Sequence, residues 1–468
     1  MTFARAAGPV LFVLIYALAP LDPRAAAAAG GAAWMAVWWV TEAVPMAVTA
    51  LLPLALWPLF DVHGRGFGGS LVKTAGVFLD AYLFLFLGGM LLGAGMEATG
   101  LHRRIALGVL AGVGGTPHRV LFGVLLATAL VSMWISNTAT AVMMAPIAGA
   151  LVGRLEDAAG RRLWGFGTAV MLAVCYGANL GGIGTKIGSG TNSIFAGFVE
   201  DRLGIAVSFP TYMLWCLPFV VLLLPIVFLA LARLLAEDRA WVREVPVAEE
   251  LARLGPMTSL ERRAAAAFAF AAVLWVFGDP LRRLVAPHVP AFWDGFSMSG
   301  KHWEAWVAMT CAATLFPARV LGPGAFRTLH WASLALLGGS FAMAGGIEGS
   351  GLSGVIASGL IGVASMPLVA QTLLAAGASV LLSAVASNTA TVNVLLTVLP
   401  RSLPVLAASG IGASCDFALP AGTPPNAIVF GSGRVRLPDM VRTGVGLDVA
   451  AALLLGVYAA TWIAWWAP

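Results

Sequence analysis

Charged residues are scarce in this chain of 468 residues: Asp, Glu, Lys and Arg make up 10% of it, and 60% is hydrophobic. The mean hydropathy of +0.90 excludes an ordinary soluble domain. A spanning helix needs about 20 apolar residues, so the length allows about ten or eleven spans. No charged residue lies between Arg119 and Arg154. We therefore predict an all-α polytopic membrane protein, located in a bacterial inner membrane.

Residues for metal binding or nucleophilic catalysis are also few. The four cysteines are widely spaced and include no CxxC pair, so neither a disulfide framework nor a zinc site is indicated. The six histidines show no HxxxH spacing. The sequence contains no HExxH, GxSxG or P-loop motif and no pair of catalytic carboxylates. The sequence therefore does not predict an enzyme.

Positive charge is concentrated in one segment in the middle of the chain. Its arginines are Arg233, Arg239, Arg243, Arg253, Arg262 and Arg263. By the positive-inside rule this segment is a cytoplasmic loop. A solvated basic linker explains the cluster, so the net charge of +5 does not predict binding to nucleic acid.

One polar pentapeptide occurs twice at membrane depth. Residues 136–140 read Ser-Asn-Thr-Ala-Thr, and residues 387–391 repeat them 251 positions later (387 − 136). Ser and Thr often join helices in membranes, but two identical clusters with matching flanks favour a binding site. Unpaired polar groups there are unfavourable by about 2–7 kcal/mol each. The duplication predicts two repeats with a substrate site between them near the bilayer midplane, as in secondary transporters.

Two glycine-rich blocks flank the pentapeptides on their N-terminal side. The block that ends at Glu97 matches the block that ends at Glu348, 251 positions later (348 − 97). Because glycine interrupts both blocks, we predict re-entrant helical hairpins at 78–112 and 330–362.

Segments rich in glycine and proline follow each pentapeptide, at 184–192 and 418–426. These residues break helices. The free N–H and C=O groups of a broken helix bind anions and cations respectively. We therefore predict, in each half, the order hairpin, Ser-Asn-Thr turn and broken helix, with spans near 120–152 and 368–400 around the two turns.

These features predict five units along the chain. They are scaffold helices at 1–77, a first transport core at 78–200, scaffold helices with the cytoplasmic loop at 201–329, a second transport core at 330–433 and a C-terminal helix at 434–468.

The Ser-Asn-Thr segments have the chemistry for a small anion and a hard cation. An Asn amide donates to a carboxylate, and its carbonyl oxygen accepts a cation, as hydroxyl oxygens do. Ser132 and Ser383 each precede their Ser-Asn pair by four residues. This spacing is one helical turn, so each serine can add an oxygen to the same site.

Lys186 is the only acid or basic residue between Arg162 and Glu200. Its repeat counterpart is Pro420. One alternative is that its ammonium reaches the binding site, where it stands in for a cation or pairs with an anionic substrate. The other is that the side chain extends to the aqueous interface.

With these motifs, the chain resembles the divalent anion/sodium symporter family, which carries dicarboxylates, citrate or sulfate. The resemblance covers nearly the whole length. It rests on Trp-Trp-Val-Thr-Glu-Ala-Val-Pro at 38–45, the two Ser-Asn-Thr motifs and Thr-Pro-Pro-Asn-Ala-Ile-Val-Phe-Gly at 423–431. It implies an inverted repeat, eleven spans with two re-entrant hairpins, a homodimer joined through scaffold domains and elevator-type alternating access.

Site residues follow from the resemblance by motif. It implies a first Na⁺ site at Ser132, Ser136, Asn137 and Gly188, and a second at Ser383, Ser387, Asn388 and Gly422. Substrate carboxylates would bind Asn137, Thr138, Ser189, Asn388, Thr389 and Thr423. The resemblance thus implies a C4-dicarboxylate carrier, coupled to Na⁺.

The first half departs from the family's pattern. Ser-Gly-Thr-Asn at 189–192 stands where the family usually has Ser/Thr-Pro-Pro-Asn, so either one or two Na⁺ sites are implied. The alternatives are a Na⁺-independent dicarboxylate exchanger or a carrier of sulfate or another oxyanion, with Lys186 replacing a cation.

Overall fold

The computed structural model describes residues 2–238, 247–285, 288 and 300–467. All secondary structure in these ranges is helical, which confirms the all-α class. Four stretches among them are long and apolar enough to cross a membrane, namely Gly66–Thr99, Asn137–Ala159, Phe209–Asp238 and Leu437–Trp466. The count of eleven spans stays a prediction. Of the basic loop, Arg239 and Arg243 lie outside the described residues.

The helices follow one another in this order. The first half contains α1 (Thr2–Leu18), α2 (Pro23–Thr41), α3 (Met46–Thr49), α4 (Leu52–Leu59), α5 (Gly66–Phe78), α6 (Ala81–Thr99), α7 (Leu101–Val113), α8 (Pro117–Ser132), α9 (Asn137–Ala159), α10 (Trp164–Gly182), α11 (Gly190–Leu203) and α12 (Phe209–Ala232). A 3₁₀ helix, Arg233–Asp238, precedes α13 (Val247–Ala252), α14 (Ser259–Val276) and α15 (Gly278–Val285). The second half contains α16 (Gly300–Thr314), α17 (Ala325–Thr328), α18 (Trp331–Gly349), α19 (Leu352–Gly359), α20 (Ile361–Ala364), α21 (Leu368–Ser383), α22 (Asn388–Val398), α23 (Leu403–Gly412), α24 (Pro424–Gly431) and α25 (Leu437–Tyr458). A π-helical turn, Ala459–Ile463, and a 3₁₀ turn, Ala464–Trp466, end the described chain.

Each Ser-Asn-Thr segment lies at the tip of a helical hairpin. In the first half, α8 ends at Ser132 and α9 begins at Asn137, and both helices pack against α10. In the second half, α21 ends at Ser383 and α22 begins at Asn388, and both pack against α23. The two halves therefore present the same polar residues on the same local fold.

Serine N-caps explain why the chain breaks at these tips. The Ser136 hydroxyl accepts a hydrogen bond from the Ala139 N–H, and Ser387 caps α22 in the same way. An N-cap residue has an extended backbone and cannot continue the preceding helix. The predicted Ser-Asn-Thr turns are therefore present, and each divides the span placed near 120–152 or 368–400 into two helices.

A helix occupies each glycine-rich block, and a glycine turn to a second helix follows it. α6 runs through the first block, and Gly100, at φ 75°, turns the chain into α7. Gly351, at φ 76°, does the same after α18. α7 then packs against α8. The predicted ranges 78–112 and 330–362 thus each contain two helices joined at a glycine, α6 with α7 and α18 with α19, and the Ser-Asn-Thr segments form two further helical hairpins, α8–α9 and α21–α22. That the hairpins at 78–112 and 330–362 are re-entrant stays a prediction.

Helix contact is the reason for these glycines. A Cβ atom at Gly88 would lie 2.6 Å from the backbone of Ala308 on α16. At Gly339 it would lie 2.3 Å from the carbonyl oxygen of Ala50. Small residues of this kind let helix backbones approach closely in membranes.

The two broken helices are confirmed. α10 ends at Gly182 and α11 begins at Gly190, while α23 ends at Gly412 and α24 begins at Pro424. α10 is buried from Gly165 to its end and packs against α8, α9, α12 and α24. It is thus the central element around which the two halves meet.

Helix contacts cross two of the predicted domain boundaries. α6, assigned by sequence to the first core, packs along α16. α25, assigned to a unit of its own, packs along α21 and α23. α12 packs against both α10 and α25. These contacts favour a core made of α8–α12 and α21–α25.

Candidate functional site

Four hydroxyl residues occupy equivalent positions at the helix breaks. They are the N-caps of α9, α11, α22 and α24, namely Ser136, Ser189, Ser387 and Thr423. A helix N-terminus carries unpaired N–H groups and a partial positive charge, whereas the helix before it ends in free carbonyls. Each break therefore offers N–H groups to an anion and C=O groups to a cation.

Ser132 organises the polar cluster of the first hairpin. Its buried hydroxyl lies 2.9 Å from Asn137 Oδ1 and 2.8 Å from the Ala178 carbonyl oxygen. The Asn137 amide rests against Gly182, where a Cβ atom would come within 2.1 Å of Oδ1. Three neutral oxygens thus converge where α8 ends and α10 breaks.

The break after α10 is fixed by its own side chains. Asn192 Nδ2 donates to the carbonyls of Gly182 and Thr185, at 2.6 Å each. The Thr185 hydroxyl donates to the Met133 carbonyl at the hairpin tip and accepts from the Gly188 N–H at 3.2 Å. The predicted ligand Gly188 therefore lies between the broken helix and the hairpin tip.

The second half repeats the serine cluster. The Ser383 hydroxyl lies 2.8 Å from Asn388 Oδ1 and 2.6 Å from the Ala413 carbonyl oxygen. This is the contact that Ser132 makes in the first half. Hydroxyl, amide and carbonyl oxygens are ligands that hard cations accept. Both clusters therefore fit Na⁺ in the chemistry of their donors.

The second break also repeats the first. Asn426 Nδ2 donates to the carbonyls of Leu419, at 3.0 Å, and Asp416, at 3.3 Å. These acceptors precede Asn426 by seven and ten residues, as Thr185 and Gly182 precede Asn192. The two breaks are structural equivalents despite their different sequences.

Asn179 on α10 connects the halves and was missed by sequence reasoning. Its Nδ2 lies 3.1 Å from the Asp416 carbonyl oxygen, 3.1 Å from Thr423 Oγ1 and 3.4 Å from Asn426 Oδ1. The signal available was a single Asn inside an otherwise apolar helix. A buried amide at that position requires partners.

Asp416 was also missed. Its side chain is fully buried, and neither carboxylate oxygen has a hydrogen-bond partner in the part of the chain that the structure describes. Gly422 makes room for it, since a Cβ atom there would lie 1.8 Å from Asp416 Oδ2. The second half thus places a carboxylate beside the predicted ligand Gly422.

Lys186 occupies neither of its predicted environments. Its ammonium is buried, 2.7 Å from Glu304 Oε2 on α16, and it donates to the Val207 carbonyl. Glu304 Oε1 accepts from the Phe209 N–H at 2.5 Å. Because a carboxylate matches its charge, Lys186 does not supply a free cation to the first site. It is not an interfacial residue either.

The Asn-Thr pairs remain accessible. Asn137, Thr138, Asn388 and Thr389 are partly exposed, and Thr138 lines a cavity of about 160 Å³. No hydrogen bond joins Asn137 to Asn388 within the described ranges. Within each half the structure joins the serine to the asparagine of the predicted site, and Asn179 on α10 contacts Thr423 of the second half.

The family model described as "Sodium:sulfate symporter transmembrane region" matches residues 2–468. Among similar proteins, the sodium-dependent dicarboxylate transporter SdcS of Staphylococcus saprophyticus is 29% identical, over 96% of this chain and 88% of its own length. SdcS of Staphylococcus aureus strain USA300 is 31% identical, over 90% of this chain and 83% of its own length.

A likeness of fold extends to a solved structure. The crystal structure of the Alcanivorax borkumensis YdaH transporter matches with a TM-score of 0.55 at 18% identity, over 84% of this chain and 86% of that chain. The family and these relatives are membrane transporters and not enzymes. The resemblance found in the sequence is confirmed: the chain is an integral membrane protein that belongs to the sodium:sulfate symporter family of transporters.

Proposed function

We propose that this protein is a secondary active carrier of C4-dicarboxylates that is coupled to Na⁺. The observation that carries the proposal is the pair of equivalent clusters, Ser132 with Asn137 and Ser383 with Asn388, at two hairpin tips. The printed names of the relatives, sodium-dependent dicarboxylate transporters, support both the substrate class and the cation.

A dianion with two carboxylates suits a site built from two halves. One carboxylate would accept from the Asn137 amide and the Thr138 hydroxyl, and the other from Asn388 and Thr389. The N–H groups at the starts of α9 and α22 add positive partial charge on each side. Ser189 and Thr423, at the starts of α11 and α24, lie at the adjacent breaks.

The two serine clusters would hold the cations, in the sets given by the family motif. Na⁺ supplies positive charge that offsets the dianion in a medium of low dielectric. Gly188 and Gly422 lie in the breaks of the first and the second half, and each would complete the cation ligands of its half. In the first half all the oxygens around Ser132 are neutral, so two sites of unequal affinity are expected.

Transport would proceed by an elevator movement of α8–α12 and α21–α25 against the remaining helices. Lys186, in the break of α10, pairs with Glu304 on α16, so this ion pair crosses the proposed boundary. The fixed helices would also form the contact of a homodimer in the bacterial inner membrane.

The elevator movement is tested with Glu348→Cys on α18 and Arg401→Cys between α22 and α23, whose side chains pair across the same boundary and are 51% and 37% exposed, in a background without the native cysteines. A short thiol-specific crosslinker should join them in one state and arrest uptake. Reduction should restore uptake. Full uptake by crosslinked protein would contradict a movement across this boundary.

Sulfate or another oxyanion is the second candidate substrate, because the matching family is named for sulfate. Na⁺-independent exchange with Lys186 in place of a cation is less well supported, since Glu304 already matches the charge of Lys186.

Uptake of radiolabelled succinate or sulfate into proteoliposomes tests the proposal. We expect succinate uptake driven by a Na⁺ gradient and absent with choline. Asn137→Ala and Asn388→Ala should each reduce it by at least a hundredfold, because a buried partner of the substrate is lost. Gln371→Ala, which removes a surface amide on α21 away from the turn, is the matched control and should retain uptake.

Three results would contradict parts of the proposal. Uptake of sulfate without succinate would change the substrate class. Counterflow of succinate that is indifferent to Na⁺ would identify an exchanger. Full uptake by both asparagine variants would exclude the two Ser-Asn-Thr turns as the substrate site.

A further inference from the structure

Asp416 is a buried acid without a partner. It lies in the break between α23 and α24, and its side chain is completely covered by protein. Neither carboxylate oxygen makes a hydrogen bond, and no Lys, Arg or His forms an ion pair with it within the described residues. A buried carboxylate is highly unfavourable unless it is paired or coordinates a metal ion.

Asp416 occupies a defined position in the repeat. Its carbonyl accepts from Asn426 as the Gly182 carbonyl accepts from Asn192, so Asp416 and Gly182 are equivalent residues. At Gly182, a Cβ atom would lie 2.1 Å from Asn137 Oδ1. By this equivalence, the Asp416 side chain is expected on the side of the break that faces the serine cluster of the second half.

Gly422 and Asn179 complete the surroundings of the carboxylate. Gly422, a predicted cation ligand, contacts Asp416 Oδ2 so closely that no Cβ atom could fit. Asn179 donates from Nδ2 to the Asp416 carbonyl at 3.1 Å, while its Oδ1 is buried without a donor. Three acceptor oxygens thus lie unsatisfied at one break, and a cation satisfies acceptors without supplying a proton.

We infer that the Asp416 carboxylate is an anionic ligand of the cation site in the second half, with the Asn179 carbonyl oxygen as a further ligand. The inference rests on the proposed Na⁺ coupling. Asp416 would be the one carboxylate that contacts the cation, with neutral oxygens as the other ligands, and this set suits Na⁺ better than a divalent ion; Asp448 also faces this break, but the Phe417 N–H already donates to its Oδ1. The equivalent residue Gly182 has no side chain, so the second half binds its cation more tightly than the first.

Na⁺ binding to the purified protein in lipid nanodiscs tests the role of Asp416. Equilibrium binding of ²²Na⁺ and the thermal unfolding midpoint would be measured in NaCl and choline chloride at constant ionic strength, without substrate. In Asp416→Asn, we expect the Na⁺ concentration for half-saturation to rise at least tenfold. We also expect a higher midpoint than the parent in choline, because the unpaired charge is gone.

Asp448→Asn is the matched control. Asp448, on α25, faces the same break, but its Oδ1 accepts from the Phe417 N–H at 2.8 Å, and Asn preserves an acceptor there. We expect its half-saturation to stay within threefold of the parent. If Asp416→Asn does not fold, Asp416→Gly, with the residue of the first half, takes its place.

The outcomes separate this inference from the proposed coupling. Na⁺-driven uptake with unchanged Na⁺ affinity in Asp416→Asn would overturn the inference alone. An equal loss of thermal stability at every Na⁺ concentration would mean that Asp416 is only structural and would overturn it too. If the parent neither binds Na⁺ nor needs it for uptake, the proposed coupling fails and the inference fails with it.

Discussion

The buried ion pair between Lys186 and Glu304 predicts an asymmetry between single and double substitution. The side chains are 0% and 3% exposed, and Nζ lies 2.7 Å from Oε2. Removing one partner leaves the other buried and uncompensated. Each of Lys186→Met and Glu304→Gln should therefore lower the free energy of unfolding by about 3–5 kcal/mol. The double variant should regain most of it, because replacing a whole buried pair is often nearly neutral.

Equilibrium unfolding in mixed micelles, followed by the fluorescence of the sixteen tryptophans, measures these values. Lys301→Met is the matched control, because Lys301 lies on α16, the helix that also carries Glu304. Lys301 pairs with Asp80 at 2.9 Å, but the two side chains are 16% and 22% exposed, so a loss of about 1 kcal/mol or less is expected. Additive losses in the double variant, or single losses as small as the control, would refute the reasoning.

The same variants show whether Lys186 is only part of a structural ion pair or also takes part in the coupling of transport to Na⁺. If Lys186 replaced a cation at the first site, its removal would steepen the Na⁺ dependence of uptake. With its charge matched by Glu304, the double variant should keep the Na⁺ dependence of the parent. A lower Na⁺ concentration for half-maximal uptake in the double variant would instead support the alternative that Lys186 replaces a cation at the first site.

Further predictions concern the close contacts at the breaks. Gly422→Ala should lower the free energy of unfolding by about 1–3 kcal/mol through overpacking, and Asp416→Gly should rescue it; a missing rescue in thermal unfolding would contradict the contact. Gly182→Ala should abolish succinate binding in a scintillation assay by displacing Asn137, whereas Gly431→Ala, with open space around it, should bind normally. Asn179→Ala should destabilise the protein by about 1–3 kcal/mol, because the acceptors at the second break lose their shared donor; an unchanged unfolding midpoint would argue against that bridge.

The Ser-Asn-Thr turns and both broken helices were predictable from sequence because their causes are local. Ser136 and Ser387 cap helices through their own hydroxyl groups. The segments at 184–192 and 418–426 contain the residues that helices exclude. In such places neighbouring residues decide the backbone conformation.

Glycine has two structural roles in the predicted hairpins, because Gly100 and Gly351 form turns whereas the glycines before them lie inside helices. In the blocks that end at Glu97 and Glu348, glycine was interpreted as a turn residue. The structure shows that Gly88 and Gly339 instead bring helix backbones together. That distinction depends on partners far away in sequence, such as Ala308, and one sequence does not reveal them.

Asp416 and the partner of Lys186 were missed for related reasons. The repeat was recognised from identical residues in the two halves, and the residue equivalent to Asp416 in the first half is a glycine, Gly182. Glu304 lies 118 residues from Lys186, with no motif that connects them. Both became visible only when burial and hydrogen bonds were known.

Asn179 has a consequence for how the two halves respond to their ligands. Its amide joins α10 of the first half to the carbonyl of Asp416 and the hydroxyl of Thr423 in the second. A ligand that shifts one break therefore acts on the other, and thermodynamic reciprocity requires the same coupling factor in both directions. We therefore expect the affinity of the first cation site to change when the second site is occupied, and the affinity of the second to change by the same factor when the first is occupied.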